Sequence, residues 1–382
     1  MDAERKRINV SRLHQKIQHS IHPDDDAHYS KMGLKRGAVE IWEDGMRTDG
    51  GKGSYEWWYN DAHFPDGTIM VIIFYSKSPI HVNGPITPQA TIELTLPDGT
   101  KLMDQVSASI EESAYATDKC NVRIGKSRIS GDLKHYDIIF EGARIQAKLT
   151  LDGTIPAWRS QTGSIFFGGN EEDYFAWLPA IPEGRAVADV RFDGTHLQLE
   201  GSGYHDHNWG NKIMLQLMHH WYWGRAKIGP YKVISAWITG EKKYGYKDFD
   251  VFMLAKDDKI LGDNSNHTLR FLPTDEYTDA NTGKPVYGKV IYEYTTEAGE
   301  LYRITYHRKG DISSQRFIDL LHGVKHLGAQ LIGFDGGYMR FEGEASIERI
   351  ENGRVVEKYS DPAVWELMYF GKSGADKTYK QL

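Results

Sequence analysis

Three consecutive runs decide how this sequence folds: Tyr55-Glu56-Trp57-Trp58-Tyr59-Asn60-Asp61, Phe64-Pro65-Asp66-Gly67, and Thr68-Ile69-Met70-Val71-Ile72-Ile73-Phe74-Tyr75. The first is an aromatic strand and the second carries the Pro-Asp-Gly chemistry of a tight turn. The third is apolar on both faces, as a strand covered on both sides is. Together they read as a β-hairpin. Alternate residues of a strand share a face, so Trp57, Tyr59 and Asp61 leave one side while Glu56, Trp58 and Asn60 leave the other. Each face mixes aromatic with polar groups, which predicts that at least one lines a polar-spotted cavity. The plainer alternative is a carboxylate that caps a neighbouring loop.

The same texture extends outward. Further strands are expected near 90–96, 101–111, 121–131, 136–141, 144–151, 163–168, 173–178, 186–192 and 196–201. Pro97-Asp98-Gly99, Asp152-Gly153 and Asp193-Gly194 serve as turns between them. A second series is expected at 221–228, 231–239, 249–255, 268–272, 286–296, 300–308, 338–350 and 363–370. Two helical patterns break the rhythm. Ile8, Leu13, Ile17 and Ile21 suggest a short amphipathic helix that ends at Pro23-Asp24-Asp25-Asp26, and Phe317, Leu320, Leu321, Val324 and Leu327 suggest a helix within 311–333. The expected organisation is an N-terminal segment (1–35), a first barrel (36–220) and a second barrel (221–382).

Composition agrees with an all-β protein: 39 Gly, 22 Tyr, 14 Phe and 10 Trp in 382 residues supply turns and large flat side chains. A net charge of −7 with both signs scattered leaves no basic footprint for nucleic acid. Cys120 is the only cysteine, so neither an internal disulfide nor a cysteine-rich metal site can form. The charged N-terminus lacks a signal-like apolar run and no integral membrane segment is visible, so the expected location is cytoplasmic. Oligomeric state is not encoded in any pattern found.

The chemistry concentrates in Tyr204-His205-Asp206-His207-Asn208-Trp209-Gly210 and, shortly after, His219-His220-Trp221-Tyr222-Trp223-Gly224-Arg225. In an extended chain His205, His207 and Trp209 share one face, and Tyr204, Asp206 and Asn208 the other. A carboxylate among aromatics is paired or functional. Asp206 would either hold an imidazole in one tautomer or, with a raised pKa, act as an acid; a hydrogen-bonded network tying two sheets together would use the same residues. Four imidazoles in sixteen residues also raise zinc, since His-x-His on one strand face is a ligand spacing, but a third ligand is not evident and no metal is expected. Phosphate loops and serine nucleophile elbows are absent.

These motifs carry a resemblance. Glu56-Trp57-Trp58-Tyr59 with Asp61, the Tyr204–Gly210 run, Trp221-Tyr222-Trp223-Gly224-Arg225 and Gly37-Ala38-Val39-Glu40-Ile41-Trp42-Glu43-Asp44-Gly45 resemble the lipocalin-like carotenoid 1,2-hydratases (hydroxyneurosporene synthases) and AttH-like proteins. In architecture the chain is also similar to lipocalin-like Diels-Alderases. The resemblance implies two consecutive lipocalin-like antiparallel β-barrels and an apolar isoprenoid or polyene ligand. One departure is that Val233-Ile234-Ser235-Ala236-Trp237 carries no carboxylate where the hydratases place one. The expectation is therefore a hydratase or cyclase without metal or organic cofactor. Asp206, Glu56 or Asp61 would be its acid, and His205 and His207 would orient that acid or move its proton. Trp57, Trp58, Tyr59, Tyr204, Asn208, Trp209, Trp221 and Trp223 would shape the pocket. The alternative is a non-catalytic carrier of an apolar ligand.

Overall fold

The computed structural model describes residues 17–79, 81–320 and 336–380. Two antiparallel sheets account for most of the chain. The first has its strands in the order Lys101–Ser107, Gln89–Thr95, Ile69–Lys77, Tyr55–His63, Thr195–Gly210, Asp173–Phe192, Ile145–Gly153, His135–Glu141, Ser127–Gly131, Asn121–Ile124, Ser113–Tyr115. The expected hairpin is there, with Trp58 opposite Phe74 and Asp61 opposite Val71. Its outer neighbour is the strand that carries the histidine motif: Asp206 lies opposite Tyr59, and His207 opposite Trp58.

This first sheet rolls around one core, in which Met70, Ile72, Ile92 and Leu94 from one half meet Val122, Ile138 and Leu149 from the other. The side chain of Asp104 helps hold the roll by accepting the backbone N–H groups of Arg144 (2.7 Å) and Ile145 (2.9 Å) from the opposite side. The second sheet runs in the order Lys259–Asp263, Asp248–Lys256, Tyr231–Gly240, Met218–Ile228, Arg354–Tyr369, Gly337–Glu351, Leu301–Arg316, Pro285–Thr295, Arg270–Phe271. It encloses a separate core rich in tyrosine, including Tyr231, Tyr292, Tyr294 and Tyr306. A third cluster lies between the sheets and joins Trp158, Phe167 and Trp177 of the first to Ile234, Phe249 and Val251 of the second. All-β architecture with two rolled antiparallel sheets is thus the fold.

Two expected breaks are absent. The chain from Asp173 to Phe192 is one strand where separate strands at 173–178 and 186–192 were expected; register shifts between Pro179 and Ile181 and between Ile181 and Gly184 absorb Pro179, Pro182 and Gly184 as bulges. Likewise Thr195–Gly210 runs unbroken through Gly201 and Gly203. A Cβ on Gly201 would run into the carbonyl of His63 on the adjacent strand, so glycine here permits close approach rather than a turn.

The helical expectations fare differently. Ile8 and Leu13 lie outside the described residues, Ile17 is exposed, and Ile21 pairs with Phe166 in the short strand Ser20–Ile21. Among the described residues of this segment the helix is at Asp26–Met32. The acidic run that read as its end is its beginning: the Asp25 side chain caps the His28 N–H at 3.0 Å, and Gly33 closes the last turn at φ 70°. Residues 311–316 continue the strand Leu301–Arg316, a 3-10 turn follows at Phe317–Leu320, and Leu321, Val324 and Leu327 lie outside the described residues.

Replacing Gly201 by alanine is expected to cost about 1–3 kcal/mol in urea denaturation, the usual penalty of overpacking. Gly169→Ala, where a Cβ meets open space, should stay within about 0.5 kcal/mol of the parent.

Candidate functional site

Between the two rolled sheets lies a cavity of about 1060 Å³. Its first wall is the outward face of the histidine strand and its neighbours: Trp57, Tyr59 and Asp61, then Asp206 and Asn208, then Trp177 and Glu183. The second wall comes from the other sheet and presents Trp221, Trp223 and Arg225, then Tyr338 and Arg340, then Trp365 and Glu366. The alternation of each strand explains the division. Residues one step out of phase with these, such as Trp58 and Leu178, fill the first core instead.

Asp206 is 6% exposed at this cavity. Its Oδ2 accepts hydrogen bonds from Tyr204 Oη (2.8 Å) and Trp177 Nε1 (2.7 Å), and its Oδ1 from Asn208 Nδ2 (2.7 Å). Burial pushes the carboxyl up to about 6, against the three donors that favour its charged form. A group poised there is well placed to give or take a proton near neutrality.

Asp61 and Glu183 have a different job. Arg225, from the second sheet, donates through Nη2 to Asp61 Oδ1 at 2.5 Å and through Nη1 to Glu183 Oε2 at 3.0 Å. Its guanidinium also lies 4.8 Å over the Tyr204 ring, and Tyr59 Oη donates to Asp61 Oδ2 at 3.3 Å. The clamp is almost wholly buried, and one cation pairs with two carboxylates across the junction. Further along the cavity, burial raises the carboxyl of Glu366, which accepts from Tyr338 Oη at 2.8 Å. Arg340 is the cross-strand partner of Glu366, and its guanidinium forms no hydrogen bond or ion pair among the described residues.

Of the residues singled out from sequence, the structure brings Trp57, Tyr59, Asp61, Asp206, Asn208, Trp221 and Trp223 to the cavity, with Tyr204 buried against it. Glu56, Trp58, His205, His207 and Trp209 lie on the other faces of the same strands. Glu56 accepts the backbone N–H groups of Arg47 (2.6 Å) and Thr48 (2.9 Å), and faces His207 Nε2 at 2.8 Å. The indole of Trp58 stacks on His207 with ring centres 4.5 Å apart.

His205 points Nδ1 at the Tyr59 carbonyl (2.9 Å) and Nε2 at Asp44 Oδ2 (3.1 Å). Two acceptors require both nitrogens to donate, which makes an imidazolium. Burial opposes that charge, but Asp44 raises the imidazole above its ordinary value, and His205 and His207 hold the buried Asp44 carboxyl down. Neither histidine hydrogen-bonds Asp206 among the described residues, so the expected proton relay through them has no hydrogen-bonded path.

The four imidazoles also divide. His205 gathers with Asp44 and Cys120 inside the first core, where burial pushes the thiol up, away from the thiolate a metal needs. His219 and His220 instead meet Asp376 near the end of the chain. Trp177, Glu183, Tyr338, Arg340 and Glu366 were not read as site residues, and Arg225 stood in a quoted motif without a role. Charged residues such as Arg340 and Glu366 alternate with apolar ones as on any solvent-facing strand, and only the docking of the sheets turns that face inward. Val233–Trp237 brings no carboxylate to the cavity, whereas Glu366 reaches it from the other neighbour of strand Met218–Ile228.

With this geometry in place, comparison with known proteins is informative. Residues 9–282 match the model of the Diels-Alderase-like family, and the chain belongs to that family. It is 24% identical over 236 residues to the quinolone epoxide rearrangement protein penF of Penicillium thymicola, covering 54% of this chain and 60% of that one. Diels-Alderase poxQ of Penicillium oxalicum is 28% identical over 137 residues, 35% of this chain and 30% of poxQ. The matches thus span less than two thirds of these relatives, 60% of penF and 30% of poxQ. The crystal structure of CghA with Sch210972 superposes with a TM-score of 0.56 over 87% of this chain and 96% of CghA at 14% identity, which shows a common fold. The resemblance read from the sequence holds on both sides: beside the Diels-Alderase-like family model, the hydroxyneurosporene dehydrogenase of Chlorobaculum tepidum is 24% identical over 213 residues, 46% of this chain and 54% of that one, and an AttH-like protein of Nitrosomonas europaea superposes with a TM-score of 0.50 over 87% of this chain and 99% of that one at 14% identity.

Arg225→Met would leave Asp61 and Glu183 buried without their cation. The expected loss is about 3–5 kcal/mol in denaturant unfolding at neutral pH.

Proposed function

We propose that the protein is a cyclase- or isomerase-type enzyme that folds a large, mostly apolar polyene or isoprenoid-like molecule in the cavity between its sheets, with Asp206 as general acid. The observation that carries this reading is the buried Asp206 carboxyl, held by Tyr204, Trp177 and Asn208 at an aromatic wall and pushed up to about 6. Protonation of an alkene, epoxide or carbonyl in such a place develops positive charge. The faces of Trp57, Trp221 and Trp223 would stabilise it by roughly 0.5–2 kcal/mol each. Confinement of a flexible chain adds orientation, worth as much as ~7–11 kcal/mol in favourable cases.

The relatives support the class of chemistry, since their names describe an epoxide rearrangement and a Diels-Alder reaction. Both are reactions of a bound molecule with itself or with a second unsaturated group, and both reward a shaped cavity. Hydration of an alkene is the same protonation followed by capture by water, so it differs in whether water is admitted. Arg340, whose guanidinium forms no hydrogen bond or ion pair among the described residues, suits an oxygen-bearing or anionic end of the ligand, with Glu366 and Tyr338 beside it.

The acid role makes a pH statement. Asp206 is protonated below about pH 6 and ionised above, so turnover should fall as pH rises through about 6. Asp206→Asn should keep ligand binding while lowering turnover by about 10²–10⁴-fold. The check is a set of candidate polyenes and epoxides assayed by product mass and by binding calorimetry in parallel. Unchanged turnover in Asp206→Asn removes the acid role, and binding without turnover in the parent protein as well identifies a carrier.

A further inference from the structure

His219 and His220 are adjacent in sequence, so in an unbroken strand their side chains would leave opposite faces. Here the pairing of Met218–Ile228 with Tyr231–Gly240 slips between Met218 and His220, and this bulge brings the two rings together with their Nδ1 atoms 2.8 Å apart. His219 Nε2 faces the backbone carbonyl of Lys372 at 3.0 Å and must therefore carry a hydrogen. Its Nδ1 is left with a lone pair aimed at His220. An imidazole whose outer N–H is fixed on a carbonyl is the usual arrangement of a metal-binding histidine.

A third group arrives from elsewhere. Asp376, in the short helix Ala375–Lys380, is 6% exposed, and one potential ligand atom from each of His219, His220 and Asp376 lies within 4.8 Å of the other two. Among the described residues Asp376 Oδ1 has no hydrogen-bond partner. Leaving a buried carboxylate oxygen unpaired is unfavourable, and a cation at this point would satisfy it. Around the trio, Tyr369 stacks on His220 at 4.9 Å and Tyr246 meets His219 edge-on at 5.1 Å, so the pocket is walled by rings. Of the charged groups that act on His219, Asp376 and Glu241 are negative and Lys284 is positive. Gly371 passes so close to His219 that any Cβ would collide with its ring.

We propose that His219, His220 and Asp376 form a binding site for a divalent transition-metal ion, for which zinc is the probe. Two imidazole nitrogens and a carboxylate oxygen suit Zn²⁺, with water in a fourth position. Binding replaces the hydrogen bond between the two Nδ1 atoms: the metal takes the Nδ1 lone pair of each ring, and the proton that lay between them moves to the outer nitrogen of His220, so both rings stay neutral. Ligand atoms about 3.3 Å apart, as Zn–N bonds of about 2.0–2.1 Å require, are reached from the present 2.8 Å by a small opening. The ion would tie the segment after Tyr369 to the start of strand Met218–Ile228, next to Met218 and Trp221 of the cavity wall. It is separate from the proposed acid and does not depend on that reading.

The test uses the full-length protein, stripped with a chelator and titrated with Zn²⁺ by calorimetry and with Co²⁺ by visible absorption. The parent is expected to take up about one equivalent, and its unfolding midpoint should rise with Zn²⁺. Asp376→Asn and His220→Gln should each weaken binding at least about tenfold and abolish the rise. If Asp376→Asn fails to fold, His220→Gln carries the comparison. Absence of stoichiometric uptake by the parent, or equal affinity in parent and folded variant, overturns the proposal.

Discussion

A guanidinium held between two carboxylates is the contact on which the arrangement of the molecule depends. Arg225 belongs to the second sheet, while Asp61 and Glu183 belong to two strands of the first. Apolar packing around Trp177 and Ile234 brings the sheets together but is tolerant of sliding. A buried ion pair is not tolerant, because displacing it leaves charge without a partner. The clamp therefore fixes where the two outward faces meet, and with that the shape of the space between them. Trp158 Nε1 on Asp263 Oδ2 at 2.7 Å and Ser160 Oγ on Asn264 Oδ1 at 2.9 Å add further polar fixing points across the same junction.

Much of the fold was legible in the sequence because it is local. The hairpin of Tyr55–His63 and Ile69–Lys77 follows from alternation and a Pro-Asp-Gly turn, and the structure pairs it in register. Misreadings came where one residue type has two meanings. Strands expected to end at 178 and 201 run on, because Pro179 sits at a bulge and Gly201 allows a neighbouring backbone to come close. Asp25 signalled the end of a helix but caps the start of one.

The site was legible by halves, for a related reason. Mixed aromatic and polar strands announced themselves in Trp57–Asp61 and Tyr204–Trp209, while Arg340 and Glu366 sit on strands whose alternation looks like ordinary solvent exposure. Their meaning depends on a second sheet docking on the first, a contact between residues far apart in sequence. Asp44 was hidden in another way. It lies in the short turn Ile41–Asp44, yet it receives Tyr136 Oη at 2.5 Å and His205 Nε2 at 3.1 Å, and so anchors the inner polar network.

The strand Thr195–Gly210 has two sides with different obligations. His205 and His207 face inward, where they are bonded to Asp44 and Glu56 and settle the geometry of the first core. Tyr204, Asp206 and Asn208 face outward around a single carboxylate at the cavity. Because successive side chains never share a face, a change at an even-numbered position here alters what the cavity can hold without touching the network that keeps the sheet rolled. A fold divided in this way can exchange one ligand for another by small steps, since the residues that answer to the ligand and those that answer to folding are interleaved in sequence but separated by the thickness of a backbone.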